Sequence, residues 1–262
     1  MTKDFFPASP RVIYDKTPLR EVICQFRFPP VLRVEAQTPA DFQDRVRDRF
    51  PLLERSQPVN ANILAQLPSD LLNSLGAPIN NTSYIFRADD GAHLTLTPDS
   101  LALTVTAYTC WEDFRATLAP AIDALIEIYR PAYFTRTGLR YLNVILREAL
   151  GLNGRSWGDI LIPEIVGELA LPQWESGVED ARRVIRSKIA NTPDAVLLQH
   201  GIAQVEGVPE TGYMLDFDFY SDNRTEVGDA HATVDRLNGY TGRAFRWCIK
   251  PAVHAAMGPR EL

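Results

Sequence analysis

Two turns in the stretch "SYIFRADDGAHLTLTPDSLALTV", residues 83 to 105, restrict this chain more than any other feature in it. Asp90-Gly91 is a two-residue hairpin signal, since a tight reversal needs backbone that glycine adopts without steric penalty. Pro98-Asp99-Ser100 makes a second turn shortly after. Connections this short join only antiparallel neighbours. The segments they separate, about Ser83 to Ala88, Ala92 to Thr97 and Leu101 to Tyr108, are therefore expected to form an antiparallel meander. A further strand is expected at about Ile63 to Leu67, with residues 68 to 82, including Asn80-Asn81, as a loop.

What precedes the meander reads as strand then helix. Residues 1 to 20 hold three prolines and no periodicity, which predicts an extended lead-in. From Glu21 to Phe28 the pattern alternates, with Val22, Cys24, Phe26 and Phe28 on one face and Ile23, Gln25 and Arg27 on the other. Pro29-Pro30 ends that strand, because two successive residues lack the N–H a ladder needs. Thr38 as N-cap and Pro39 at the first position open a helix whose Phe42, Val46 and Phe50 form one apolar stripe. Asp41 and Arg45 are spaced for an i,i+4 pair on its surface. After the meander, Thr109 and Glu112 read as a capping box opening a helix to about Tyr129, with a kink expected at Pro120.

The order then starts again. "FTRTGLRYLNVIL", residues 134 to 146, is apolar on both faces, as in a central strand of a sheet covered on both sides or folded against a second module. A short proline-interrupted helix in "SWGDILIPEIVGEL", strands at about Ala181 to Ala190, Ala195 to Val205 and Gly212 to Tyr220, and a closing helix broken at Pro251 complete it. The fold class that follows is α+β: a curved antiparallel sheet with long helices on one face, built from pseudo-duplicated strand-helix-strands-helix units. Residues 21 to 132 and 133 to 262 are the two halves, expected to form one compact unit. The order is similar to the TATA-binding-protein-like and helix-grip folds, an analogy of topology that implies no function.

Composition excludes some functions. The net charge of −6, from 27 basic and 33 acidic residues, lacks the basic excess of a dedicated duplex-DNA or RNA binder. Cys24, Cys110 and Cys248 are far apart and read as reduced apolar residues; the four histidines fit no metal spacing. No P-loop or nucleophile elbow occurs, and Gly151-Leu-Asn-Gly154 lacks the lysine and hydroxyl of a phosphate loop. Neither a signal peptide nor an apolar run of bilayer length is present, so the expected setting is cytoplasmic, with no membrane contact. No cofactor is expected.

"PLREVICQFRFPP", "TGLRYLNVI" and "AFRWCIKPAVHAAM" resemble the signature blocks of a sporadically distributed bacterial family of about this length, the TIGR04255 family. The blocks fall at the beginning, centre and end of the chain. The resemblance implies a cytoplasmic bacterial setting in mobile or defence-associated gene clusters; it implies no reaction.

Strand alternation sorts the candidate site residues. In "GYMLDFDFY", Tyr213, Leu215, Phe217 and Phe219 take the core face and leave Met214, Asp216, Asp218 and Tyr220 opposite. In "ARRVIRSKIA", Ile185 and Ile189 mark the core face and put Arg182, Arg186 and Lys188 opposite. Cross-strand ion pairs between the two strands are the structural expectation, and a face that grips a partner the functional one. Asp216 and Asp218 together could hold a divalent ion, though no third ligand stands at a recognisable spacing. Arg140, beside Asn143 in an apolar central strand, must find a carboxylate, with Glu21 as candidate, a backbone cluster or a ligand. Trp111, Trp157, Trp174 and Trp247 read as packing anchors.

The leading expectation is a non-enzymatic module that binds a protein partner encoded nearby, in a defence or mobile-element cluster; a homo-oligomer is also considered. The alternative is nucleic-acid or nucleotide binding on the open sheet face through Arg182, Arg186, Lys188 and Arg140. A third reading is a divalent-metal enzyme centred on Asp216 and Asp218.

Overall fold

The computed structural model describes residues 5–56, 83–175 and 177–261. Among these residues nine antiparallel strands form the main sheet. In chain order the first half comprises β1 (Val12–Tyr14), β2 (Leu19–Arg27), α1 (Leu32–Ala36), α2 (Ala40–Val46), β3 (Leu52–Ser56), β4 (Ser83–Arg87), β5 (His93–Thr97), β6 (Ser100–Val105) and α3 (Trp111–Tyr129). The second comprises β7 (Arg136–Ile145), α4 (Trp157–Ile160), α5 (Pro163–Val166), α6 (Pro172–Glu175), β8 (Arg182–Lys188), β9 (Asp194–Val205), β10 (Val208–Ser221), α7 (Ala230–Cys248), α8 (Pro251–Ala256) and β11 (Pro259–Glu261).

The spatial order is β3-β4-β5-β6-β2-β7-β10-β9-β8. Within the main sheet both halves obey one rule about the β2–β7 seam: the first strand of each lies at the seam, the last beside it, and the chain reaches the outer edge by way of short helices. A 19-residue helix follows the last strand each time, α3 after β6 and α7 after β10.

The meander forms as expected, with Gly91 at φ +85° in its first turn. Val22, Cys24 and Phe26 on β2 are fully buried, as are Leu215 and Phe219 on β10, and they join the apolar stripes of α3 and α7 in a single core. The opposite residues of β2, Glu21 to Arg27, stay partly exposed. β7 is central, yet among the described residues no helix covers its second face, which departs from a strand covered on both sides. The strand expected at 63 to 67 and the loop at 68 to 82 lie outside the described residues.

Several local expectations are corrected. The lead-in is tied down: β1 pairs with β11, and buried Phe6 packs on Phe219 and Trp247. Thr38 does not cap α2, whose N-cap is Pro39 without a side-chain bond. Asp41 pairs with Arg33 and Arg45 with Glu127, because contacts with neighbouring elements displace the i,i+4 pair. Thr109 donates to Asp113 while Glu112 is held by Arg11, so no capping box forms there; α3 runs unbroken through Pro120. A true capping box opens α4, where Ser156 and Asp159 exchange bonds. Trp174 is 53% exposed, so it anchors no packing.

Candidate functional site

Among the described residues no helix packs on the side chains turned away from α3 and α7, and this second face mixes buried Ala195, Leu197 and Asp216 with half-buried Ile23, Gln25 and Arg140. At its centre, Arg140 donates from Nε and Nη2 to both oxygens of Asp216, at 2.8 and 2.7 Å. The Asp216 side chain is only 3% exposed, so this guanidinium stands in for water. Arg136 donates to Asp218 at 2.6 Å and lies 4.7 Å from the centroid of the Tyr220 ring. It has room because Gly138, between the two arginines, has no side chain. Register sets Arg140 opposite Asp218 and Leu142 opposite Asp216, so the two-pronged contact is diagonal. Burial pushes the Asp218 carboxyl up against the opposing pull of Arg136. For Arg140 burial, the largest influence, lowers the pKa, but the bonds and charge of Asp216, with Asp218 and Glu21, hold it above its ordinary value.

Arg182, Arg186 and Lys188 do share this face: Arg186 sits opposite Leu197, which sits opposite Asp218. The expected ion pairs between their strand and that of Asp216 are nevertheless absent among the described residues, because β9 lies between β8 and β10. Lys188 pairs with Asp222 and Arg182 with Asp180, while Arg186 has no carboxylate partner among the described residues. The carboxylate for Arg140 is Asp216; Glu21 acts only through its charge. Since Asp216 and Asp218 each serve an arginine, they are poorly placed as a pair of metal ligands. No group of three or more metal-ligating side chains occurs among the described residues.

A second feature lies on the helix side. The strap of residues 9 to 19, the start of α3, one face of α7 and the sheet residues Tyr141, Asn143 and Phe217 enclose a cleft of about 810 Å³. The Tyr141 hydroxyl donates to Asn238 Oδ1 at 3.1 Å and lies 3.4 Å from that of Tyr108. Burial pushes Tyr108 up to about 12 and Tyr141 well above its ordinary value, so both stay protonated. Sequence reasoning missed this cleft. The available signal was Gly239 and Gly242 inside a helical pattern, where glycine has no conformational use.

No protein-family profile and no curated protein matches the chain. No helix among the described residues is long and apolar enough to cross a membrane.

Proposed function

We propose that the protein is a non-enzymatic interaction module that grips a protein partner on the face of its sheet that no described helix covers. The observation that carries this reading is the charge pattern of that face. Arg140, Arg136, Arg182 and Lys188 are each engaged by a carboxylate, so the face mixes neutralised pairs with half-buried Ile23, Gln25 and Ala102. Such a mixture suits a protein surface better than a polyanion. The resemblance to a family of mobile and defence-associated clusters supports a partner encoded by an adjacent gene.

Co-expression with the products of adjacent genes, followed by purification, tests the reading. A stoichiometric complex that Ala102→Arg disrupts is expected; a chain that purifies alone, or a complex indifferent to that variant, counts against it. Nucleic-acid binding is the second reading, favoured only by Arg186, which lacks a carboxylate partner among the described residues. A gel shift at low salt that Arg186→Glu abolishes would support it in place of the first.

A further inference from the structure

The cleft beneath the strap has the features of a ligand site. We propose that it binds a nucleoside phosphate, with the base inward on the sheet and the phosphate at Arg246. This inference is independent of the partner face, which lies on the other side of the sheet.

The space is held open at a cost to the helix. Gly239 and Gly242 lie within α7, where glycine is less favourable than alanine, and a Cβ built at either meets nothing within 4 Å. Packing therefore does not require them. With Arg243 and Arg246 they follow the i, i+3, i+4, i+7 spacing of one helix face, and all four line the cleft.

The floor offers an unused acceptor. Asn143 is 5% exposed, and its Nδ2 donates to the carbonyls of Leu215 at 3.2 Å and Tyr141 at 3.4 Å. Two flanking carbonyls fix the amide orientation, and among the described residues Asn143 Oδ1 has no hydrogen-bond partner. Oδ1 is not among the wholly buried unpartnered atoms, and Asn143 lines the cleft, so a donor that enters the cleft can reach this acceptor. An amino or imino N–H of a nucleobase supplies one, and Phe217, Tyr108 and Trp111 line the same cleft with aromatic surface for its ring.

Charge in the same lining selects an anion. Arg246 has no carboxylate partner among the described residues and makes one bond, to the Ile249 carbonyl at 3.3 Å. Arg11 and Arg260 also line the cleft but are occupied by Glu112 and Asp15. Of the acidic residues there, Asp15 is engaged by Arg260 and Asp113 accepts from Thr109. Asn143 and Arg246 can serve one molecule, since both line the cleft and about 810 Å³ lies within the range of small-molecule sites.

Calorimetric titration of the full chain with AMP, GMP, CMP and UMP, and with adenosine and inorganic phosphate as controls, tests the proposal. At least one nucleotide is expected to bind at a single site, at least about tenfold more tightly than either control. Gly242→Leu, which fills the space with a good helix former, should keep or raise the melting temperature while weakening binding more than about tenfold. Arg246→Gln should weaken the nucleotide and leave adenosine unchanged. No binding by any of the four at about 1 mM, phosphate binding as tightly as the nucleotide, or a Gly242→Leu variant that binds normally would each overturn it. Ala102→Arg, on the opposite face, should leave nucleotide binding intact, which separates this test from that of the partner surface.

Discussion

Asp216 and Asp194 are carboxylates almost wholly removed from water, with side chains 3% and 0% exposed, and each is held by the fork of an arginine. Asp194 also accepts from Tyr240, so it fastens α7 to the start of β9. Removing one member of such a pair leaves a buried charge without compensation. Arg140→Ala is therefore expected to cost about 3 kcal/mol in chemical denaturation, and the double change Arg140→Leu with Asp216→Leu to recover most of it. A single variant as stable as the parent would show that water reaches Asp216. The need of Arg140 for a partner was legible in an apolar strand, but that the partner is Asp216 was not. Which carboxylate answers depends on the register of β7 against β10, which no local pattern encodes.

His200 gives a second prediction at this scale. The single hydroxyl proton of Tyr213 goes to the Ile165 carbonyl, so His200 Nδ1 must be the donor in its bond to Tyr213. Its Nε2 is buried and has no hydrogen-bond partner among the described residues. Protonation there would place a charge in an apolar site, and burial, with a smaller push from Arg183, lowers the pKa of His200. The unfolded chain takes up the proton near the ordinary value of 6.5 while the folded chain resists it. The contribution to stability is thus complete above that pH and is lost as the pH falls below it. The denaturation midpoint should drop between about pH 7 and pH 5, and His200→Asn should reduce the drop. His254, shifted the same way by burial and Arg246, contributes to the remainder. An undiminished drop in His200→Asn would remove His200 from this account.

At the scale of elements, periodicity found the strands and the long helices because alternation and the 3.6-residue stripe are local properties. It failed where one element answers another. Glu112 is drawn off by Arg11 from the strap, and Asp41 by Arg33 from the preceding helix, so both local pairs dissolve. Gly201 is a comparable case on β9. At φ +152°, it approaches β8 so closely that a Cβ would meet the Ala181 carbonyl oxygen, which already accepts from the Ile202 N–H. Gly201→Ala should therefore displace β8 and cost more than about 2 kcal/mol, while Gly228→Ala, with open space around it, should stay within about 0.5 kcal/mol. Thermal melts compare the two, and amide exchange along β8 would locate the damage. Equal, small effects would mean that the edge strand adapts without loss.

For the molecule as a whole, the repeated order of elements could be read from the chain, whereas the seam that joins the halves could not. β2 and β7 pair over nearly their full lengths, and Phe26 meets Phe134 across them with ring centroids 5.0 Å apart. The core does not divide at this seam; residues of both halves fall in one cluster. The chain also crosses back at its beginning. Phe6 lies against Phe219 and Trp247 of the second half, and β1 is completed by β11. A half expressed alone would expose a long central strand edge and the apolar surface of that shared core. Chemical denaturation followed by near-ultraviolet circular dichroism and by tryptophan fluorescence should therefore give one coincident transition. Residues 21–132 and 133–262, expressed separately, should fail to give dispersed amide spectra, and the pair should regain them only when refolded together. Two separable transitions, or a folded isolated half, would make the seam an interface between independent domains rather than the middle of one sheet.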